Sequence, residues 1–181
     1  MKRKSRVVRS FLVAAVLVIL AALALAFFLL RSSPGNSGPT LFIIQRNKNA
    51  NEVHYDAQVG PDGALAADPV VAYWIMKAED GRREDLTFLE GKMAYGFEVS
   101  KPGPGGEREM TLVAWEDRKI RLTKAGGRWR ALTQIDGKDA YLTRLFIQSE
   151  EGGVTPKVLF VDLFGEDADG GKAVQEHVVK R

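Results

Sequence analysis

Twenty consecutive residues, Phe11 to Leu30 (FLVAAVLVILAALALAFFLL), carry no charge, no polar side chain, no Gly and no Pro. As a helix rising about 1.5 Å per residue, such a run is roughly 30 Å long, the thickness of a bilayer's hydrocarbon core. A surface helix of a globular domain keeps one face polar, whereas this stretch is apolar all round. It predicts a single transmembrane anchor over 11–30. Lys2, Arg3, Lys4, Arg6 and Arg9 precede it and only Arg31 follows closely. By that asymmetry residues 1–10 are a basic cytoplasmic tail, and the chain from Arg31 onward lies outside the cytoplasm. The expected location is the inner (cytoplasmic) membrane of a bacterium, single-pass, with a periplasmic or extracellular C-terminal domain. A cleaved signal peptide is the alternative, since Ala24-Leu25-Ala26 forms an A-x-A triplet. Cleavage there would leave Phe27-Phe28-Leu29-Leu30 as an apolar new terminus, and the run exceeds a usual signal h-region, which favours the anchor.

The net charge of +3 misrepresents the exported part. Six of the 26 Lys and Arg lie in residues 1–31 and all 23 Asp and Glu follow them, which leaves 20 positive and 23 negative side chains outside. A domain without a basic excess has no electrostatic footprint for nucleic acid, and no such partner is expected. The chain contains no cysteine. A lipid-modified Cys, a disulfide and a thiol nucleophile are all excluded, and the domain must be stable through its own core. Residues 31–40, rich in Ser, Gly, Pro and Asn, read as a flexible linker, and residues 41–181 as one domain.

That domain reads as mainly β. Leu41–Arg46 is a β-branched and aromatic run, and in Glu52–Ala57 the residues Val53, Tyr55 and Ala57 alternate with Glu52, His54 and Asp56. Asn47, Asn49 and Asn51 supply the αL tolerance of a hairpin loop between them. Val70–Met76 is apolar on both faces, as in a central strand covered on both sides. Thr87-x-x-Glu90 is a capping-box spacing that opens one short helix, with Leu86, Leu89 and Met93 as its apolar stripe and Gly96 as its stop. A strand through Phe97 and Val99 follows. Met110–Trp115 alternates, Asp117-Arg118 breaks the run, and Ile120 and Leu122 resume it. Gly126-Gly127 and Asp136-Gly137 mark hairpins, and Ala140–Ile147, Val158–Phe164 and Val174–Val179 add strands. The expectation is a single antiparallel β-barrel or β-sandwich with one short helix behind the anchor.

LFIIQRNKNANEVHYDA, DPVVAYWI, the AYGF after the helix and PKVLFVDLFGED together resemble an uncharacterised family catalogued only as a domain of unknown function. The resemblance runs from about Leu41 to Glu176. It implies a β-rich domain, often behind an export or membrane segment, and no assigned activity.

The densest polar set is Gln45, Arg46, Asn47, Asn49, Asn51, His54 and Asp56, gathered by one hairpin. An arginine offers a planar fork to a carboxylate or phosphate, and Asn amides donate and accept, so a small anionic or sugar-like ligand suits this set. The competing reading has the Asn residues shaping the loop and Arg46 pairing with Glu52 or Asp56 across the hairpin. His54 and His177 are the only imidazoles, and two His without Cys make a poor metal site. No G-x-S-x-G nucleophile elbow is present. Gly165–Glu176 aligns with a calcium loop at Asp167, Asp169, Gly170 and Glu176, but Gly165 stands where the first Asp belongs, which reads as a solvated turn. Arg121, Arg128 and Arg130 with Trp115 and Trp129 suggest a lipid-facing patch, against the plainer reading of a solvated face. No catalytic residue, metal or cofactor is assigned. The leading reading is a non-catalytic binding or envelope-accessory module whose partners are the membrane through Phe11–Leu30 and an envelope protein or small ligand. The alternatives are a small barrel enclosing a ligand, and an enzyme using the Arg46/His54 region.

Overall fold

The computed structural model describes residues 37–150 and 157–179. The anchor expected over 11–30 lies outside them, and among the described residues no helix is long and apolar enough to cross a membrane.

Among the described residues eleven strands and one helix follow in order: β1 (Ser37–Arg46), β2 (Glu52–Val59), β3 (Leu65–Ile75), β4 (Arg83–Asp85), α1 (Phe88–Met93), β5 (Phe97–Val99), β6 (Arg108–Leu112), β7 (Trp115–Ala125), β8 (Arg128–Ile135), β9 (Lys138–Glu150), β10 (Lys157–Asp167) and β11 (Ala173–Val179). The mainly β expectation with one short helix holds. The sheet is mixed, however, rather than wholly antiparallel, because β1 runs parallel to β9 from Ile43↔Arg144 to Arg46↔Ile147. A parallel pair joins segments about a hundred residues apart, and no hairpin signal announces it.

Strand β9 organises the sheet. β10 follows one edge of it from Ala140 to Glu150. On the other edge Lys138–Tyr141 pair with β8, and Arg144–Ile147 pair with β1. The change of partner coincides with a bulge. Phe164 faces Arg144 and Gly165 faces Leu142, so Thr143 has no partner across the ladder, and its Oγ1 donates to the Phe164 carbonyl at 3.0 Å. From this point two wings diverge, β1-β2-β3-β4 and β8-β7-β6-β5. Gly165 fits only without a side chain, since a methyl there would lie 2.6 Å from Ile135 Cδ1 and 2.7 Å from the Tyr141 carbonyl.

The space between the wings is filled. Phe42 and Tyr55, stacked at 4.5 Å, meet Met110, Ile120, Leu122, Ala131 and Leu142, all at most 2% exposed. Val53, Tyr55 and Ala57 point inward as their alternation requires. Side-chain donors to main-chain carbonyls cross-link the wings. Tyr55 donates to Tyr95 at 2.7 Å, Trp129 Nε1 to Gly63 at 3.0 Å, and Arg108 Nη2 to Ala66 at 2.9 Å.

Several local expectations change. β1 begins at Ser37, inside the stretch read as linker, because main-chain pairing to Gln58 needs no apolar side chain. β3 lies between β2 and the three-residue β4 rather than at a sheet centre, so Val71, Ala72, Trp74 and Ile75 stay half-buried. β7 runs through Asp117-Arg118, and the turn falls earlier, at Val113-Ala114. The turns at Gly126-Gly127 and Asp136-Gly137 form as read, with φ of 56°, 79°, 51° and 73°. The capping box of α1 is complete, Thr87 accepting from the Glu90 amide while Glu90 accepts from the Thr87 amide. Leu89 and Met93 do not pack inward, and α1 buries no residue.

Candidate functional site

The hairpin residues split between the two sides of the sheet, because neighbouring strand positions face opposite ways. Gln45, His54 and Asp56 take the outer face. Gln45 Nε2 donates to Glu52 Oε1 at 2.6 Å, and His54 Nε2 lies 2.9 Å from Glu52 Oε2 and stacks on Tyr73. Lys77 Nζ closes on the same carboxylate at 2.7 Å. Burial pushes the Glu52 carboxyl up, but Lys77, His54 and Gln45 outweigh it and hold the group below its ordinary value. Asp56, 4% exposed, accepts from Thr40 Oγ1 at 2.7 Å and from the Tyr73 hydroxyl at 2.5 Å. Burial, then the Asp56 bond and charge, push the Tyr73 hydroxyl up to about 12, against a smaller opposing effect of Arg83 above its ring. Every group here has a partner, and the arrangement closes on itself.

The asparagines are mostly structural. Asn47 exchanges hydrogen bonds with the Ser149 main chain, 3.1 Å in each direction, and so prolongs the β1–β9 pairing with its side chain. Asn49 Oδ1 accepts from the Asn51 amide at 3.1 Å, and Asn51 Oδ1 accepts from the Ala78 amide at 2.8 Å.

Arg46 is different. It shares its strand face with Phe42 and Ile44 and emerges at the end of the core. Its guanidinium carbon lies 5.8 Å from the Trp74 ring centre and 5.7 Å from that of Tyr95. Trp74 and Tyr95 meet edge to face at 5.1 Å, and Trp74 Nε1 donates to Glu90 Oε1 at 3.1 Å. Neither Glu52 nor Asp56 pairs with Arg46; both are engaged on the opposite face. Among the described residues Arg46 is the half-buried arginine whose guanidinium makes no hydrogen bond, whereas Arg108, Arg118, Arg130 and Arg144, equally half-buried, all donate to oxygen. Arg46 lines a cleft of about 240 Å³ with Asn49, Asn51, Trp74, Met76, Glu84, Thr87 and Glu90. Burial raises Glu90, but the Thr87 amide and hydroxyl, Trp74 and the charge of Arg46 more than offset it, so this carboxylate stays ionised beside the cleft. Burial raises the Tyr95 hydroxyl, and Arg46 opposes that rise. Trp74, Tyr95 and Glu90 were not among the sequence candidates. The Trp and the capping-box Glu were visible, but nothing local placed them beside residue 46.

The other candidates resolve plainly. Asp167 Oδ1 accepts from the amides of Asp169 and Gly170, Glu176 is clamped by Arg118, and among the described residues no group of three acidic or imidazole side chains could hold a metal. Trp129 points into the core while Arg130 pairs with Glu166 and lies over Tyr141, so the lipid-patch residues do not share one face. A larger hollow of about 550 Å³ is lined by Lys101, Lys119 and Arg121 but also by Glu107, Glu109 and Asp139. Charges of both signs line it, and Lys119 is engaged by Thr111 and Glu109, so it selects no one sign of ligand.

A family model described as a domain of unknown function, DUF4833, matches residues 42–177. No curated protein matches the chain, and no solved structure does.

Proposed function

This chain belongs to the DUF4833 family, a domain of unknown function, and we propose that it is a non-catalytic binding module that takes a carboxylate-bearing ligand on Arg46. The observation that carries this reading is a guanidinium held over two aromatic rings, in a cleft, with no acceptor among the described residues for any of its donors. A half-buried polar group without a partner costs stability unless something supplies the hydrogen bonds, and a planar fork matches a carboxylate. Glu84 and Glu90 also line the cleft, which favours a singly charged carboxylate over a doubly charged phosphate. An enzyme drawing on both Arg46 and His54 is disfavoured, since the two side chains leave the sheet on opposite faces. An enclosed ligand is disfavoured by the packed space between the wings. The side-chain cross-links between those wings support a partly open barrel rather than two independent sheets. The apolar run 11–30 supports an anchor that presents this module outside the cytoplasm.

Titration of the full chain with acetate, propionate and inorganic phosphate, followed by tryptophan fluorescence, tests the site. Saturable change with the two carboxylates is expected, and its loss in Arg46→Gln. That variant should fold with a cost of no more than about 1 kcal/mol, the worth of an exposed cation–π contact. An identical response in Arg46→Gln would remove the proposal. Retention in membranes after alkaline carbonate washing tests the anchor; a soluble form beginning near Phe27 would replace it with a signal peptide.

A further inference from the structure

Four large apolar side chains are strongly exposed among the described residues, and three of them lie on the six-residue α1: Phe88 at 75%, Leu89 at 66% and Met93 at 67%. At 100° per residue, Phe88, Lys92, Leu89 and Met93 occupy one side of the helix and Glu90 the other. The Glu90 side, with the capping Thr87, lines the Arg46 cleft. One short helix therefore forms a wall of the cleft with one side and shows an uncovered apolar surface with the other. Lys92 lies 4.8 Å from the Phe88 ring, within that surface, and no carboxylate among the described residues pairs with it. α1 is closed at its N-terminus by the capping box and fastened through Trp74 to Glu90, so this is a formed surface rather than a loose turn.

We propose, resting on the carboxylate reading of Arg46, that the ligand is a peptide segment of another protein in which an acidic group stands beside aliphatic side chains. The acid meets Arg46 and the aliphatic groups cover Phe88, Leu89 and Met93. Arg46, whose guanidinium makes no hydrogen bond among the described residues, and Lys92 set the sign of the partner's charge, and three uncovered hydrophobes set its apolar character. A free small carboxylate would leave the α1 surface bare. The bilayer is the competing occupant, and the dye measurement below separates the two.

The test uses the full chain in lipid nanodiscs and an arrayed set of acetylated hexapeptides that combine Asp or Glu with Leu, Ile, Val and Phe, beside their Asn and Gln counterparts. Acidic members should bind and amide members should not. Combined Phe88→Ser, Leu89→Ser and Met93→Ser substitution should weaken peptide binding at least about tenfold, as for loss of a hot-spot cluster, while acetate binding at Arg46 persists. Leu89→Cys carrying an environment-sensitive dye, in a chain with no other cysteine, should report burial only when peptide is added. Peptide affinity unchanged by the three serines, or no member binding while acetate still does, would overturn this inference and leave the carboxylate reading standing. A dye already buried by lipid alone would make the surface a membrane contact and overturn it too. Loss of acetate binding would remove both readings.

Discussion

The Tyr55 hydroxyl donates to the carbonyl of Tyr95 across 2.7 Å, joining β2 to the segment after α1 over forty positions of sequence. Both rings are buried, and Tyr95 is one of the two aromatic groups that hold Arg46. Core and cleft therefore share one bond. Tyr55→Phe keeps the stack on Phe42 but strands the Tyr95 carbonyl, which should cost about 1–3 kcal/mol. Urea denaturation reads that cost, and weakened acetate binding should accompany it. Binding unchanged at reduced stability would separate the cleft from the core.

Three glutamates set the acid limit. Glu52, Glu90 and Glu176 all lie below the ordinary value of 4.5 in the folded chain; in each, burial pushes up and hydrogen-bonded partners, Lys77, Thr87 and Arg118 respectively, prevail. The unfolded chain takes up their protons first as pH falls, so their contribution is full above 4.5 and is lost below it as pH passes through the folded values. Urea midpoints measured down to about pH 3 should fall, and Glu52→Gln should flatten that fall. Tyr73, raised from 10.0 to about 12, adds an alkaline limit with its loss between those two values.

Gly165→Ala is expected to destabilise by roughly 1–3 kcal/mol, because overpacking displaces β9 main chain. The methyl would meet the Tyr141 carbonyl at 2.7 Å as well as the Ile135 side chain, so side-chain movement alone cannot relieve it. Thermal melting of the variant against Gly170→Ala, where no neighbour lies within 4 Å of the added group, supplies the comparison.

EDTA should leave the melting temperature unchanged, since the Asp167 and Glu176 carboxylates already have protein partners. Asp167→Ala should lower folding stability by about 0.5–1.5 kcal/mol through the lost turn bonds. A large EDTA effect on the wild-type chain would reinstate calcium at this turn.

Residues near one another in sequence determined much of what was legible. The Asn-rich hairpin, the turn at Asp136-Gly137, the capping box of Thr87 and Glu90 and the inward set Val53, Tyr55 and Ala57 follow from backbone preference and period-two alternation, which act within a few residues. Arg46 was legible as a candidate too, as a long cationic side chain at the end of an apolar strand. Tertiary structure alone decided its surroundings. Trp74 and Tyr95 reach it from positions with no periodic relation to residue 46, and His54 leaves by the other face. It also decided that β9 exchanges β8 for β1 at Thr143, because strand pairing over a hundred residues leaves no mark in the pattern of either strand. The apolar stripe of α1 was visible from Leu89 and Met93, but a stripe states only that a surface wants covering. Whether the chain's own core covers it is settled by where the wings pack, and here they leave it open.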